Sequence, residues 1–516
     1  MEKFGKILRN SLIVLGVLFV VLLLLPEDET EAPAAQAPTA PAQTLAVEET
    51  KSAFTEEMVK EKQADIKGDG SDTVTVLVYM NGSDLESEDG AATQDLSEML
   101  AARIGSRVNV LVETAGTRSW SKKLGIASDH TQRYRVEAGK LNLVDDSLGQ
   151  LDCTEPETLA DFITWGAENY PANRYMLIFW DHGAGPVYGF GYDENQSEKS
   201  VLTIDEIQSA VHRSGVYFDI IGMDCCIMSS LELCCAMYNY CDYMILSEDF
   251  EPGYGWSYTG WLNALSENPA ISSEALGKII VDDMIAYNEA NEEGSSTLAL
   301  IDESYMKVLY TAWVDFAYAN ESELLGENYS MHVKGGRRAH PILREKGLFD
   351  FLFDEDGEYS MSDYYITDIM AVAQNIDSKE AEALSSAVNL AVSYFNCTDD
   401  EVGMTGLSVT LPYGDSEFYG YLQPVFTGVG IDEDYVNWLE KFVDAEGTGD
   451  YYDYESWYED DWDGWDDYED DWEYLLNPYG KGFAVYAYVW NKDDDSCSEY
   501  GTIGIHAFGG GIKRFA

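Results

Sequence analysis

The stretch 219-DIIGMDCCIMSSLELCC-235 decides how the chain is read. An apolar run gives way at Asp224 to two adjacent cysteines, and small, then helix-forming residues follow. That is how a buried strand ends before a helix in an alternating α/β chain. Upstream, 175-YMLIFWDHGAG-185 has the same grammar, with His182 in the place of the cysteines. Working outward, 73-TVTVLVYM-80 reads as a first buried strand, 107-RVNVLVET-114 as a second and 243-YMILSE-248 as a fifth, while 133-RYRVEAGKLNLV-144 is hairpin-like. Helical spacing marks 95-DLSEMLAARI-104, the segment opened by Pro156 and Glu157, the segment capped by Thr203, and 228-MSSLELCCAMYNY-240. Strand and helix alternate, which predicts an α/β fold with a mostly parallel sheet covered on both faces.

The rest of the chain divides by composition. Residues 1–26 carry Lys3, Lys6 and Arg9 ahead of the apolar run Leu12–Leu25, the pattern of a signal peptide or signal anchor. Fourteen residues make about 21 Å of helix, short of a ~30 Å hydrocarbon core, and a membrane anchor through residues 12–25 stays open beside cleavage. Either way the bulk of the chain is expected outside the cytoplasm, extracellular or at the cell surface. Residues 27–70 form a Pro/Ala-rich and polar linker, and 71–270 the main α/β core. Residues 271–446 continue it, with helices near 271–290, 303–324 and 378–395 and strands at 296-STLALID-302 and 406-GLSVTLP-412. Residues 447–478 are acidic, aromatic and of low complexity, and 479–516 reads as a short β-rich tail.

Asp and Glu total 94 against 31 Lys and Arg, a formal net charge of −63, which excludes nucleic acid as a partner. Five of the eight cysteines crowd between Cys225 and Cys241, too close together to staple distant loops, so they read mostly as small apolar residues. The exceptions are sought where strands end, because open α/β sheets gather functional groups at those carboxyl ends. If the third and fourth strands are neighbours, His182 meets Cys225 or Cys226 there. A thiol and an imidazole are the minimum for nucleophilic acyl transfer, and Gly183 lets a backbone N–H approach an oxyanion without a Cβ in the way. A zinc site lacks the C-x-x-C spacing, and a serine hydrolase lacks a G-x-S-x-G elbow.

Taken together, TVLVYMNGSDLE, PETLADFITWGAENYPANRYMLIFWDHGAG, LTIDEI, DIIGMDCCIMSSLE and SEDFEPGYGWSY, in that order across residues 73–260, resemble the clostripain-like cysteine peptidases of the caspase-like group. The resemblance implies a caspase-like three-layer sandwich with a C-terminal α/β extension and an endopeptidase cleaving after Arg or Lys. It implies His182 and Cys226 as the catalytic pair, with Cys225 as packing, Gly183 and Cys226 amides as the oxyanion hole, and Asp224 at the floor of the S1 pocket. A second acid from a later loop can join that floor, where 251-EPGYGW-256 offers Glu251 beside Tyr254. Substrates would be proteins or peptides carrying basic residues. Some relatives cleave themselves after a basic residue between the His and Cys strands, which here is Lys199, and some depend on calcium, although no EF-hand loop is present. The competing reading is an inactive cell-surface binding protein on the same scaffold.

Overall fold

The run 74-VTVLVYMN-81 forms strand β1 (Val74–Asn81), in which every residue is buried. Side chains alternate across a strand, and here the alternation splits between two cores: Leu77 and Tyr79 enter one, Val74, Val76, Val78 and Met80 the other. The computed structural model describes residues 70–196, 200–291, 296–326, 366–398, 403–414 and 416–443, and the backbone of four short strands within 485–513. The expectations for the signal segment 1–26, the linker, Lys199 and the acidic segment 447–478 lie outside the described residues.

Strand β2 (Val108–Ala115) pairs parallel with β1 and leads to the antiparallel hairpin of β3 (Gln132–Glu137) and β4 (Lys140–Asp145) at one edge. On the other side of β1 come β5 (Arg174–Trp180), β6 (Phe218–Asp224) and β7 (Cys241–Leu246), all parallel. The antiparallel strands β8 (Thr297–Asp302) and β10 (Val392–Cys397) complete a nine-stranded sheet. Strands β9 (Ile366–Asp368) and β11 (Ser408–Thr410) pair in a separate ladder. The tail strands Val485–Tyr488 with Tyr500–Ile503, and His506–Phe508 with Gly511–Lys513, form two more.

Helices α1 (Ala91–Ala101), α5 (Tyr258–Glu267) and α6 (Ser273–Ala290) cover one face of the large sheet. The other is covered by α2 (Pro156–Asn169), α3 (Ile204–Ser214), α4 (Leu231–Met237), α7 (Met306–Ala319), α8 (Ile369–Gln374), α9 (Lys379–Ala391), α10 (Ser416–Val429) and α11 (Glu433–Val443). The result is the three-layer sandwich that the sequence implied. Helix α2 starts at Pro156, whose missing N–H costs nothing at a first turn, and α3 starts with a capping box between Thr203 and Glu206.

Of two expected helices, one is broken into pieces and one ends early. The one near 303–324 is a 3₁₀ turn (Glu303–Tyr305), then α7, then the short helix Glu321–Leu324. The one near 378–395 stops at Ala391, and 392-VSYFNC-397 runs on as the edge strand β10.

Strand order changes direction at β1: β2 lies to one side, β5 to the other. Loops leaving the carboxyl ends of β1 and β5 therefore part company, and the crevice between them is where an open α/β sheet offers a site.

Candidate active site

The register of β5 on β6 pairs Trp180 with Asp224. Two residues further along each chain stand His182 and Cys226, so both follow from the same rung. The segments remain in close approach beyond the strands. A Cβ built on Gly183 would strike the Cys226 carbonyl oxygen and come within 2.9 Å of Met228 Cγ and 3.1 Å of Cys225 Sγ. His182, Gly183, Asp224 and Cys226 are thus gathered at one sheet end, and Lys199 lies outside the described residues.

His182 is buried, and its Nε2 lies 2.7 Å from Asp84 Oδ1. Asp84 stands in the loop that leaves β1, so the two residues meet across the crevice where strand order reverses. Tyr192 stacks on the imidazole, with ring centroids 6.0 Å apart and planes 8° from parallel. Burial alone would raise the Asp84 carboxyl, but the hydrogen bond and charge of His182, with a hydrogen bond from Tyr192, hold it well below the usual carboxylate range. An ionised carboxylate only accepts hydrogen bonds, so His182 Nε2 carries a hydrogen towards it. Next to His182, buried Asp181 accepts from Ser83 Oγ at 2.6 Å and from Tyr192 N at 3.0 Å. Burial pushes its carboxyl up to about 7, against the pull of the His182 charge.

Cys226 is buried beside Ile227 and Ile366, and its Sγ accepts from the Glu251 backbone N–H at 3.3 Å. Burial pushes the thiol up to about 12, with Glu251 N–H opposing and the charges of Glu251 and Asp249 adding to the rise. A lone thiolate is therefore disfavoured, and loss of the proton requires a neutral base that becomes a cation beside the sulfur. Ile227 follows with φ +49°, a left-handed conformation costly for a β-branched residue. Its N–H donates to Asp249 O at 2.9 Å, which fixes the turn. Cys225 points into the main core and behaves as packing.

Asp224 is buried and accepts from Tyr258 Oη at 2.7 Å and from Trp256 N at 3.1 Å. Burial raises its carboxyl to about 6, although these hydrogen bonds pull it down. Glu251 is raised well above the usual range, by burial and then by Asp224. Neither Glu251 carboxyl oxygen accepts a well-formed hydrogen bond from a protein donor. Burial and mutual repulsion disfavour two negative charges here, which favours one carboxyl of the pair keeping its proton. Of the two residues the loop offered, Glu251 reaches Asp224, while Tyr254 packs edge-on to Tyr287 with centroids 5.7 Å apart.

The sequence reading missed Asp84, Tyr192 and Tyr258. Asp84 follows an apolar strand in NGSD, but nothing local shows that β1 lies beside β5. Among the described residues no three His, Cys, Asp or Glu side chains are arranged to hold a metal ion, and no step is routed through one.

Clostripain of Hathewaya histolytica is 23% identical over 477 residues, spanning 79% of this chain and 82% of that protein. A secreted C11 cysteine protease from Bacteroides thetaiotaomicron, solved with an irreversible peptide inhibitor, superposes with a TM-score of 0.51 at 18% identity, covering 70% of this chain and all of that one. An inactive zymogen C11 protease from Parabacteroides distasonis gives 0.52 at 18% identity, covering 69% of this chain and 98% of that one. At such identities the two structures speak for the fold. The family model described as the clostripain family matches residues 78–473, most of the chain. The chain belongs to the clostripain family of cysteine peptidases.

Proposed function

We propose that the protein is an exported endopeptidase that cleaves after Arg or Lys with a Cys226–His182 dyad. The observation that carries this reading is the shared rung Trp180–Asp224, from which His182 and Cys226 both continue. As substrate enters, the Cys226 proton passes to His182. The sulfur attacks the scissile carbonyl carbon, and the carbonyl electrons move onto the oxygen, which the Gly183 and Cys226 amides receive. Collapse breaks the C–N bond, and His182 returns the proton to the leaving amine. Water, deprotonated by His182, then releases the acyl group and restores the thiol.

The single negative charge on Asp224 and Glu251 supports a basic P1 residue, since a cation at that floor pairs a charge that is otherwise buried alone. Export is supported by the charged and apolar N-terminus and by a relative described as secreted. Self-activation by cleavage after Lys199 is supported by its polar setting between the two strands, and a relative is described as an inactive zymogen.

The test is hydrolysis of fluorogenic peptides with Arg, Lys, Asp or Leu at P1 by the wild type, C226A, C225A and K199A. Turnover confined to Arg and Lys, abolished in C226A and kept in C225A, is expected. Undiminished turnover by C226A ends the dyad assignment, equal turnover of the Leu peptide ends the basic preference, and full activity of uncut K199A ends the need for processing.

A further inference from the structure

We infer that Asp84 is the positioning residue of His182, making the site a three-membered arrangement of Asp84, His182 and Cys226. This rests on the dyad reading and goes beyond it. The loop carrying Asp84 is built to one geometry. Among the described residues only Ser83 and Ile227 are non-glycine residues with positive φ. One precedes Asp84 and the other follows Cys226. Strained backbone persists where surrounding structure over-determines it, and function is the usual reason for keeping it.

Ser83, at φ +41°, is held by its Oγ donating to Asp181 Oδ1 at 2.6 Å, on the residue beside His182. Behind it, Glu86 N donates to Gly82 O at 2.7 Å, and the buried Glu86 carboxylate accepts from Thr93 N and Ser121 N, each at 2.8 Å. Gly82 admits no side chain, because a Cβ would lie 2.9 Å from Thr117 Cβ. The loop therefore cannot slide, and the Asp84 carboxylate stays 2.7 Å from Nε2. That bond selects the tautomer that leaves Nδ1 for proton transfer and stabilises the imidazolium formed when Cys226 gives up its proton. Tyr192 supports the assembly twice, through its ring against the imidazole and its hydrogen bond to Asp84. Asp181 and Glu194 are the other charged groups close to Tyr192. Asp84 touches neither thiol nor substrate in this account and acts through His182.

The experiment is the pH dependence of kcat and KM on a P1-Arg peptide for the full chain carrying Asp84→Asn, Asp84→Ala or Tyr192→Phe, beside the wild type and C226A. At neutral pH Asp84→Asn is expected to lower kcat by about 10- to 100-fold, a part of what acid–base catalysis contributes as a whole, with KM nearly unchanged. The acid limb of the profile should move to lower pH in both Asp84 variants, because the imidazole that must be neutral to take the Cys226 proton has lost the carboxylate that favours its charged form. Tyr192→Phe, which keeps the ring, should show the same shift to a smaller degree and covers the case in which an Asp84 variant fails to fold. A limb that stays in place in every folded variant overturns the assignment, whether activity is kept or falls uniformly. Hydrolysis surviving in C226A would strike the dyad reading instead, and so is told apart.

Discussion

Gly183→Ala isolates a single contact at the centre of the site. Gly183 is not among the positive-φ positions, so alanine suits its backbone and only the space for a methyl group is lacking. The new Cβ would meet the Cys226 carbonyl oxygen, with Met228 Cγ at 2.9 Å and Cys225 Sγ at 3.1 Å. Relaxed carbon contacts lie at about 3.5–4.0 Å, so relief needs a movement on the order of 1 Å between the segments that carry His182 and Cys226. The neighbours cannot yield cheaply, since one is backbone and the other two belong to buried side chains. A misplacement of about 1 Å costs roughly 100-fold in rate, near 2.7 kcal/mol of activation free energy. We expect kcat/KM on a P1-Arg peptide to fall by about that factor. The thermal midpoint should drop by only a few degrees, the cost of modest overpacking. Steady-state kinetics with a thermal melt on the same sample separates the two effects. A folded Gly183→Ala protein with activity within about threefold of wild type would mean that these segments do not meet as described, and the oxyanion role of Gly183 would go with it.

The shared proton at the floor of the site predicts non-additive behaviour. Asp224→Asn and Glu251→Gln should each reduce turnover of Arg and Lys peptides by roughly tenfold, because the remaining carboxyl takes up the negative charge, and the double variant should lose far more than the product of the two. Single variants that already match the double would refute the sharing. Stability should also depend on pH with a definite sign. Burial raises Asp181, Glu113 and Glu232 to about 7 and Asp224 to about 6, so their contribution is complete below the ordinary carboxyl range and is lost as pH rises through 6 to 7. The depressed Asp84 acts only below about pH 4, where its stabilisation is lost as pH falls. Thermal midpoints should therefore decline from pH 4.5 to pH 8, and a rise over that range would contradict these assignments.

What the sequence made legible follows from how local the signal was. The parallel strands were readable because each is an apolar run buried on both faces, and β1 and β5 are buried along their whole length. Strand β10 was not, because 392-VSYFNC-397 continues from a helix without punctuation and is half-buried throughout, with no contrast between its faces. Helix α10 was hidden by Pro424 inside it, a residue that argues against helix until tertiary packing of Phe418, Leu422 and Phe426 overrides it.

The same distinction runs through the site. His182 and Cys226 could be suspected because each stands directly after a strand, and the register needed to join them is a property of neighbouring strands. Asp84 needed a further fact, that β1 lies beside β5, and no local pattern carries it. The floor of the site needed more still. Asp224 and Glu251 meet only because the loop after β7 folds back until Trp256 N and Tyr258 Oη both reach Asp224. Which of Glu251 and Tyr254 turns inward is settled by packing, since the Tyr254 ring has Tyr287 of α6 to rest against and Glu251 is left to face the carboxyl. Two acids so enclosed disfavour a second negative charge, a condition that a cationic side chain would relieve. A basic preference would then come from the pair's unmet charge.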